Sequence, residues 1–348
     1  MKIGILKFHE TYVERIWGGN KLRQVLGRSI DATAPIGEAW LIADHPSCES
    51  VVAEGMFQGK TLRNLMEMNG ADILGTHAKP TPAGRFPLLL KLIDAGDVLS
   101  VQVHPDDAQV AALNEPDAGK TEMWYVLDAD PESTLLSGLC EGVTRESFEA
   151  ALEKGDTATL MHSFPVSKGD SVFVPAGNVH AIGAGILLAE IQQNSDITYR
   201  LFDWNRVDSN GNARELHIEK ALAVMNFNSG LGERITPLTY TENGVKHELL
   251  ATCPYFAAER LIFSSHAEFE TGGKSFHIVQ ALNETVTIGS QNSQCNLSPG
   301  EAALVPASTG KWYIGSAGSV LHYYVPDIQK DIIALLQQHG HSEEYLQL

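Results

Sequence analysis

What this chain lacks narrows its function before any motif is read. It has no run of 18 apolar residues, so no transmembrane helix is expected. Its first ten residues carry charges throughout and no long apolar core, so they do not read as a signal peptide. Cysteine is scarce. Cys48, Cys140, Cys253 and Cys295 lie far apart with no Cys-x2-Cys pair, which fits idle thiols in a reducing cytosol. Basic side chains are outnumbered, 25 against 43 acidic, for a net charge of −18. A chain so charged repels nucleic acid overall, because that binding depends on Lys and Arg neutralising phosphates. A small anionic substrate stays open wherever basic residues cluster locally.

What is present is a globular composition, 43% hydrophobic and 20% charged, over 348 residues, a length that suits two domains. Short β-branched or alternating runs, bounded by Gly, Pro, Asn and Asp, dominate. They fall at 171–174, 186–192, 248–251, 275–281, 285–288 and 321–325, and this spacing suggests sandwich or barrel architecture. Helical patterns are few: 59–74, 144–155, 214–227 and 327–340, each read as a helix packed on a β-core.

An internal repeat organises the chain. Ser167-Lys-Gly-Asp-Ser-Val-Phe-Val-Pro-Ala returns as Ser298-Pro-Gly-Glu-Ala-Ala-Leu-Val-Pro-Ala. In both copies a Gly-acid turn leads into a short buried strand that ends at Pro. The reading is a mainly β chain of two jelly-roll barrels with a few packing helices, the first over 1–235 and the second over 236–348. The boundary is expected near 230–243. The second copy places Lys311 where the first has His180, and a protonated amine cannot ligate a metal, so the second barrel reads as structural.

The chemistry concentrates in the first copy. Gly169, Pro175, Gly177 and His180 fit G-x5-P-x-G-x2-H, which resembles the second half of the metal-binding signature of cupins. Upstream stand Gln102 and His104, two apart and so on one face of a strand, followed by Glu122. One amide oxygen, two imidazoles and one carboxylate can hold a divalent metal and leave room for substrate. The usual cupin spacing puts the carboxylate much closer. Here the stretch 106–119 must loop out, after a possible short helix opened by Pro105-Asp106-Asp107, and bring Glu122 back.

Four blocks then resemble one family. They are Leu99-Ser-Val-Gln-Val-His-Pro-Asp-Asp107, Gly119-Lys-Thr-Glu-Met-Trp124, Val174-Pro-Ala-Gly-Asn-Val-His180 and Glu190-Ile-Gln-Gln-Asn-Ser-Asp-Ile-Thr-Tyr-Arg200. With Trp17-Gly-Gly19 and Gly37-Glu-Ala-Trp40 they are similar to type I mannose-6-phosphate isomerases, in the short bacterial form. The resemblance implies a cytoplasmic zinc enzyme, one Zn2+ per chain, that interconverts mannose 6-phosphate and fructose 6-phosphate. It implies metal ligands at Gln102, His104, Glu122 and His180. Arg200, Lys120 and Glu190 resemble catalytic positions. Ser100 and Arg206 resemble phosphate contacts, and Trp17 is an aromatic candidate for the sugar cleft. The expected partner is the small sugar phosphate, with no nucleic acid and no membrane, on a monomer or weak homo-oligomer. Three other readings compete: a non-catalytic bicupin that senses a sugar phosphate, an isomerase of other aldoses, and a metal-dependent oxygenase, which Gln102 in place of a histidine weakens.

Overall fold

The computed structural model describes residues 3–341, apart from 209 and 229. The end of the expected C-terminal domain, 342–348, lies outside the described residues. Strands dominate, and two separate units emerge. One comprises Tyr12–Ala39 and Lys91–Arg234. The other comprises the chain up to Thr11, Trp40–Leu90 and the chain from Ile235 on. The division departs from the expected 1–235 and 236–348, because two early segments cluster with the late strands. The cause is pairing. Strand Leu6–Lys7 extends the sheet beside Ala302–Val305, and the amides of Thr76 and His77 donate to the carbonyls of Gly273 and Lys274. Such long-range pairing leaves no local signal.

Each unit is a jelly roll of two sheets. The first has a five-stranded sheet in the order Met161–Pro165, Thr134–Leu139, His180–Ile182, Val101–Val103, Tyr199–Phe202. Its companion sheet runs Ser171–Val174, Glu122–Ala129, Ile186–Gln193 and then the parts of strands Leu88–Ala95, Thr11–Gly19 and Ile36–Ile42 that fall in this unit. Between them pack Trp17, Ile93, Trp124, Val126, Val172, Val174, Ile182 and Leu188, among others. Burial of this kind contributes about 25 cal/mol per Å2 of apolar surface. The second unit pairs a seven-stranded sheet with the four strands Ala267–Glu270, Lys311–Ile314, Val286–Ser290 and Gln294–Leu297, around Leu261, Val279, Ile288, Trp312 and Val320.

The helices show where local signals hold. Leu62–Leu74 starts later than 59 because Thr61 caps it, its hydroxyl accepting from the Asn64 amide. Arg145–Lys154 runs from a capping box at Thr144 to a left-handed Gly155. The expected helix 214–227 shrinks to Ile218–Val224. Arg214 is instead held by Asp203, and Val207 bridges to Ala213 in a turn. Near the C-terminus the helix opens with a π-turn, Ile328–Ile333, before Ala334–Gln338. Among the described residues no helix is long and apolar enough to cross a membrane.

Candidate metal centre and active site

The first jelly roll builds its site from both sheets. On the five-stranded sheet Gln102 is the register partner of His180 on one side and Arg200 on the other. Cross-strand partners share a face, so this row presents an imidazole, an amide and a guanidinium together. On the companion sheet Glu122 pairs with Gln192, and Trp124 pairs with Glu190. His104 follows strand Val101–Val103 and meets the others at its end.

The long detour between His104 and Glu122 is explained locally. Asp106 caps the helix Asp107–Leu113, accepting from the Gln109 amide at 2.7 Å, and Asn114 ends it in a left-handed turn. The chain then returns. Gly119 donates to Asp107 Oδ1 at 2.8 Å, and the Lys120 amide donates to the Pro105 carbonyl at 2.9 Å. A Cβ on Gly119 would lie 2.6 Å from the Asp107 backbone nitrogen, so only glycine closes the loop this tightly. The Gly177 turn is set in a similar way. Its φ is +81°, and its amide donates to the His104 carbonyl at 2.8 Å, tying one ligand segment to the other.

The donor atoms converge. One atom from each of His104, Glu122 and His180 lies within 4.8 Å of the others, and all three residues are buried. His180 Nε2 is 3.4 Å from Glu122 Oε1, and His104 Nε2 is 3.8 Å from Glu122 Oε2. Each imidazole has its other nitrogen committed. His104 Nδ1 donates to the Ile197 carbonyl at 2.7 Å, and His180 Nδ1 donates to the Asn178 carbonyl at 2.9 Å. That fixes the tautomer and turns both Nε2 lone pairs inward, as metal ligation requires. Burial, then the Lys120 charge, holds His104 far below the usual imidazole range. Burial takes His180 to about 4 against the pull of the Asn178 carbonyl. Both imidazoles are neutral at pH 7.

Glu122 supplies the strongest argument for a cation. Its side chain is fully buried, and neither oxygen accepts a well-formed hydrogen bond, although Lys120 Nζ approaches Oε2 to 2.8 Å. Burial, then the charge of Glu190, pushes it up to about 7 against the two lysines. A buried carboxylate costs several kcal/mol unless cations compensate; Lys120 stands at Oε2, and Oε1 has no partner among the described residues other than the His180 ring at 3.4 Å. The residues therefore fit a divalent ion. Gln102 lies beside them, with Nε2 3.3 Å from His180 Nε2 and Oε1 accepting from Ser100 Oγ at 3.1 Å. A half-turn of this nearly symmetric amide gives its oxygen to the cluster and lets Ser100 accept instead.

Comparison with known proteins adds the decisive observation. A model of the type I phosphomannose isomerase catalytic domain matches residues 5–135. The chain is 35% identical over 300 residues to the mannose-6-phosphate isomerase of Streptococcus mutans, covering 86% of this chain and 91% of that one. The chain belongs to the type I phosphomannose isomerase family. The crystal structure of the mannose 6-phosphate isomerase from Bacillus subtilis superposes with a TM-score of 0.84 at 31% identity, covering 92% of this chain and 99% of that one. A putative mannosephosphate isomerase from Archaeoglobus fulgidus gives 0.72 at 26%, covering 92% and 97%.

Around this phosphomannose isomerase cluster sit the remaining candidates. Lys120 Nζ is 3.2 Å from His104 Nε2 and 3.8 Å from Glu190 Oε1. Glu190 accepts from Trp124 Nε1 at 2.8 Å through its other oxygen. Lys91, which the sequence reading missed, lies 3.1 Å from Glu190 Oε1 and is itself buried. Burial would raise Glu190, but Lys91 and Lys120 together hold it below the usual carboxylate range. Burial likewise opposes the charge on Lys91, and Glu190 and Glu38 outweigh it, keeping the ammonium charged. Arg200 is half-buried, and among the described residues its guanidinium has no hydrogen bond or ion pair, with Nε buried. Arg206 is placed differently. Its terminal nitrogens are held by the Val98 carbonyl at 2.5 Å, Asp203 at 2.5 Å and Asp97 at 3.3 Å. Ser100 is buried and engaged with Gln102. Trp17 is 4% exposed and packs in the core beside Ile93 and Trp124, so it offers a sugar little surface.

Proposed function

We propose that this chain interconverts mannose 6-phosphate and fructose 6-phosphate through an enediol, with one zinc ion held by Gln102, His104, Glu122 and His180. The observation that carries the reading is the convergence of two neutral, inward-facing imidazoles and a fully buried carboxylate, with one atom from each within 4.8 Å of the others. Zinc bound there would act as a Lewis acid toward the sugar oxygens. Two nitrogen and two oxygen donors suit it and leave positions for substrate.

The residues around the ligands then do the proton work. In the aldose-to-ketose direction the C2 proton leaves as O1 takes one up, C1 and C2 share a double bond in the enediol, and a proton returns at C1 as the O2 proton departs to leave the C2 carbonyl. Lys120 lies between Glu122 at 2.8 Å and Glu190 at 3.8 Å, so the Lys120–Glu190 pair accepts the proton and returns it. Trp124 and Lys91 keep Glu190 ionised and aimed. The unpaired guanidinium of Arg200 meets the charge that develops on the enediol oxygens. Arg206 holds the Val98 carbonyl and the Asp97 and Asp203 carboxylates and contributes positive charge toward the 6-phosphate.

The test is turnover of mannose 6-phosphate in D2O, read by NMR. Fructose 6-phosphate carrying deuterium at C1 supports an enediol whose proton exchanges with solvent. Turnover with full retention of the original proton through repeated cycles contradicts exchange and points to hydride transfer. Absence of turnover in metal-loaded protein contradicts the isomerase reading itself.

A further inference from the structure

The C-terminal jelly roll has its own cavity, about 1020 Å3, open at one end of the barrel. Its lining includes His247, His266, Phe269, His277, Trp312 and Tyr313. A buried polar relay orients part of this lining. His247 Nδ1 and His322 Nδ1 each donate to a carboxylate oxygen of Glu259, both at 2.8 Å. His322 Nε2 therefore accepts, at 2.7 Å, from His277 Nδ1. On neutral rings this pattern makes Nε2 of His247 and of His277 acceptors, with no partner among the described residues. Trp312 supplies the complement. It is 1% exposed, and its indole N–H is buried without an acceptor. Phe269, half-buried, stacks on Trp312 with ring centroids 4.5 Å apart, and His266 lies 5.1 Å from the half-buried ring of Tyr313.

We propose that this cavity is a second ligand site, for a neutral polyhydroxylated ring, that is, an unphosphorylated saccharide. Imidazole nitrogens beside aromatic rings match hydroxyl groups, which donate and accept at once, on a ring with an apolar face. The lining carries Glu242, Glu268 and Glu270 against the single cation Lys311, so a phosphate ester is disfavoured. The volume holds more than one sugar ring.

The test titrates the full chain, pre-equilibrated with saturating hexose 6-phosphate, with mannotriose, cellotriose and maltotriose by calorimetry. At least one trisaccharide is expected to bind with Kd below about 10 mM. Phe269→Ala should weaken it between about 3- and 10-fold, the worth of one aromatic contact. His266→Ala removes a ring half exposed to solvent, leaves the core intact and should weaken binding as well. Neither variant touches the catalytic unit, so isomerase turnover stays at the parent rate. No binding by any of the three sugars overturns the proposal. So does binding that hexose 6-phosphate displaces, or binding that both variants leave unchanged.

Discussion

Replacing Lys91 by methionine isolates the charge network under the metal site. The ammonium lies 3.1 Å from Glu190 Oε1, and both side chains are buried. Removing one partner of a buried ion pair strands the other charge, at about 3–5 kcal/mol. Glu190 keeps the Trp124 N–H at 2.8 Å and Lys120 at 3.8 Å, which places Lys91→Met near the low end, about 3 kcal/mol. Glu190→Gln removes the carboxylate charge, and adding it to Lys91→Met should recover most of the loss. Urea unfolding of the parent, both single variants and the double variant measures this as a coupling energy. Turnover adds a second readout, since a Glu190 no longer held ionised loses its proton-transfer role. A Lys91→Met protein within about 0.5 kcal/mol of the parent would refute the argument.

Three further outcomes follow from the geometry. Gly119→Ala drives a Cβ into the Asp107 backbone and should cost about 1–3 kcal/mol, and zinc affinity should fall with it because Glu122 follows the closed loop; equilibrium dialysis against zinc reads the second effect. Arg200→Ala should leave metal stoichiometry at the parent value while kcat falls roughly 100-fold or more, and loss of metal would instead make Arg200 structural. Glu259 is raised by burial, but its bonds to His247 and His322 more than offset this and hold it at about 2. A depressed carboxyl stabilises the fold above its unfolded pKa and loses that stability as pH falls from about 4.5 toward 2, so Glu259→Gln should cost up to about 3 kcal/mol at pH 7 and flatten the acid limb of the stability profile.

Much of the fold was legible because its signals are short-range. The repeated Gly-acid turn, strand and Pro at 167–176 and 298–307 appears as strands Ser171–Val174 and Ala302–Val305. The short helix after Pro105-Asp106-Asp107 and the returning loop were readable because His104 and Glu122 had to meet. Lys91 was not readable. It is a lone charge in the apolar strand Leu88–Ala95, and only strand pairing shows that Glu190 answers it. The same holds for His247, Glu259, His277 and His322, which sit on four strands with no motif spacing and meet only through sheet register. Arg206 looked available in sequence, and Asp203 holds it together with Arg214. Trp17 read as a cleft aromatic and packs in the core because its strand faces Ile93 and Trp124.

The most direct test of the central claim is the rate of fructose 6-phosphate formation from mannose 6-phosphate in protein stripped by chelator and then titrated with zinc. The account predicts a rate near zero in the stripped protein and full recovery at one zinc per chain, with His104→Ala failing to recover. A stripped protein that turns over at the parent rate would contradict it.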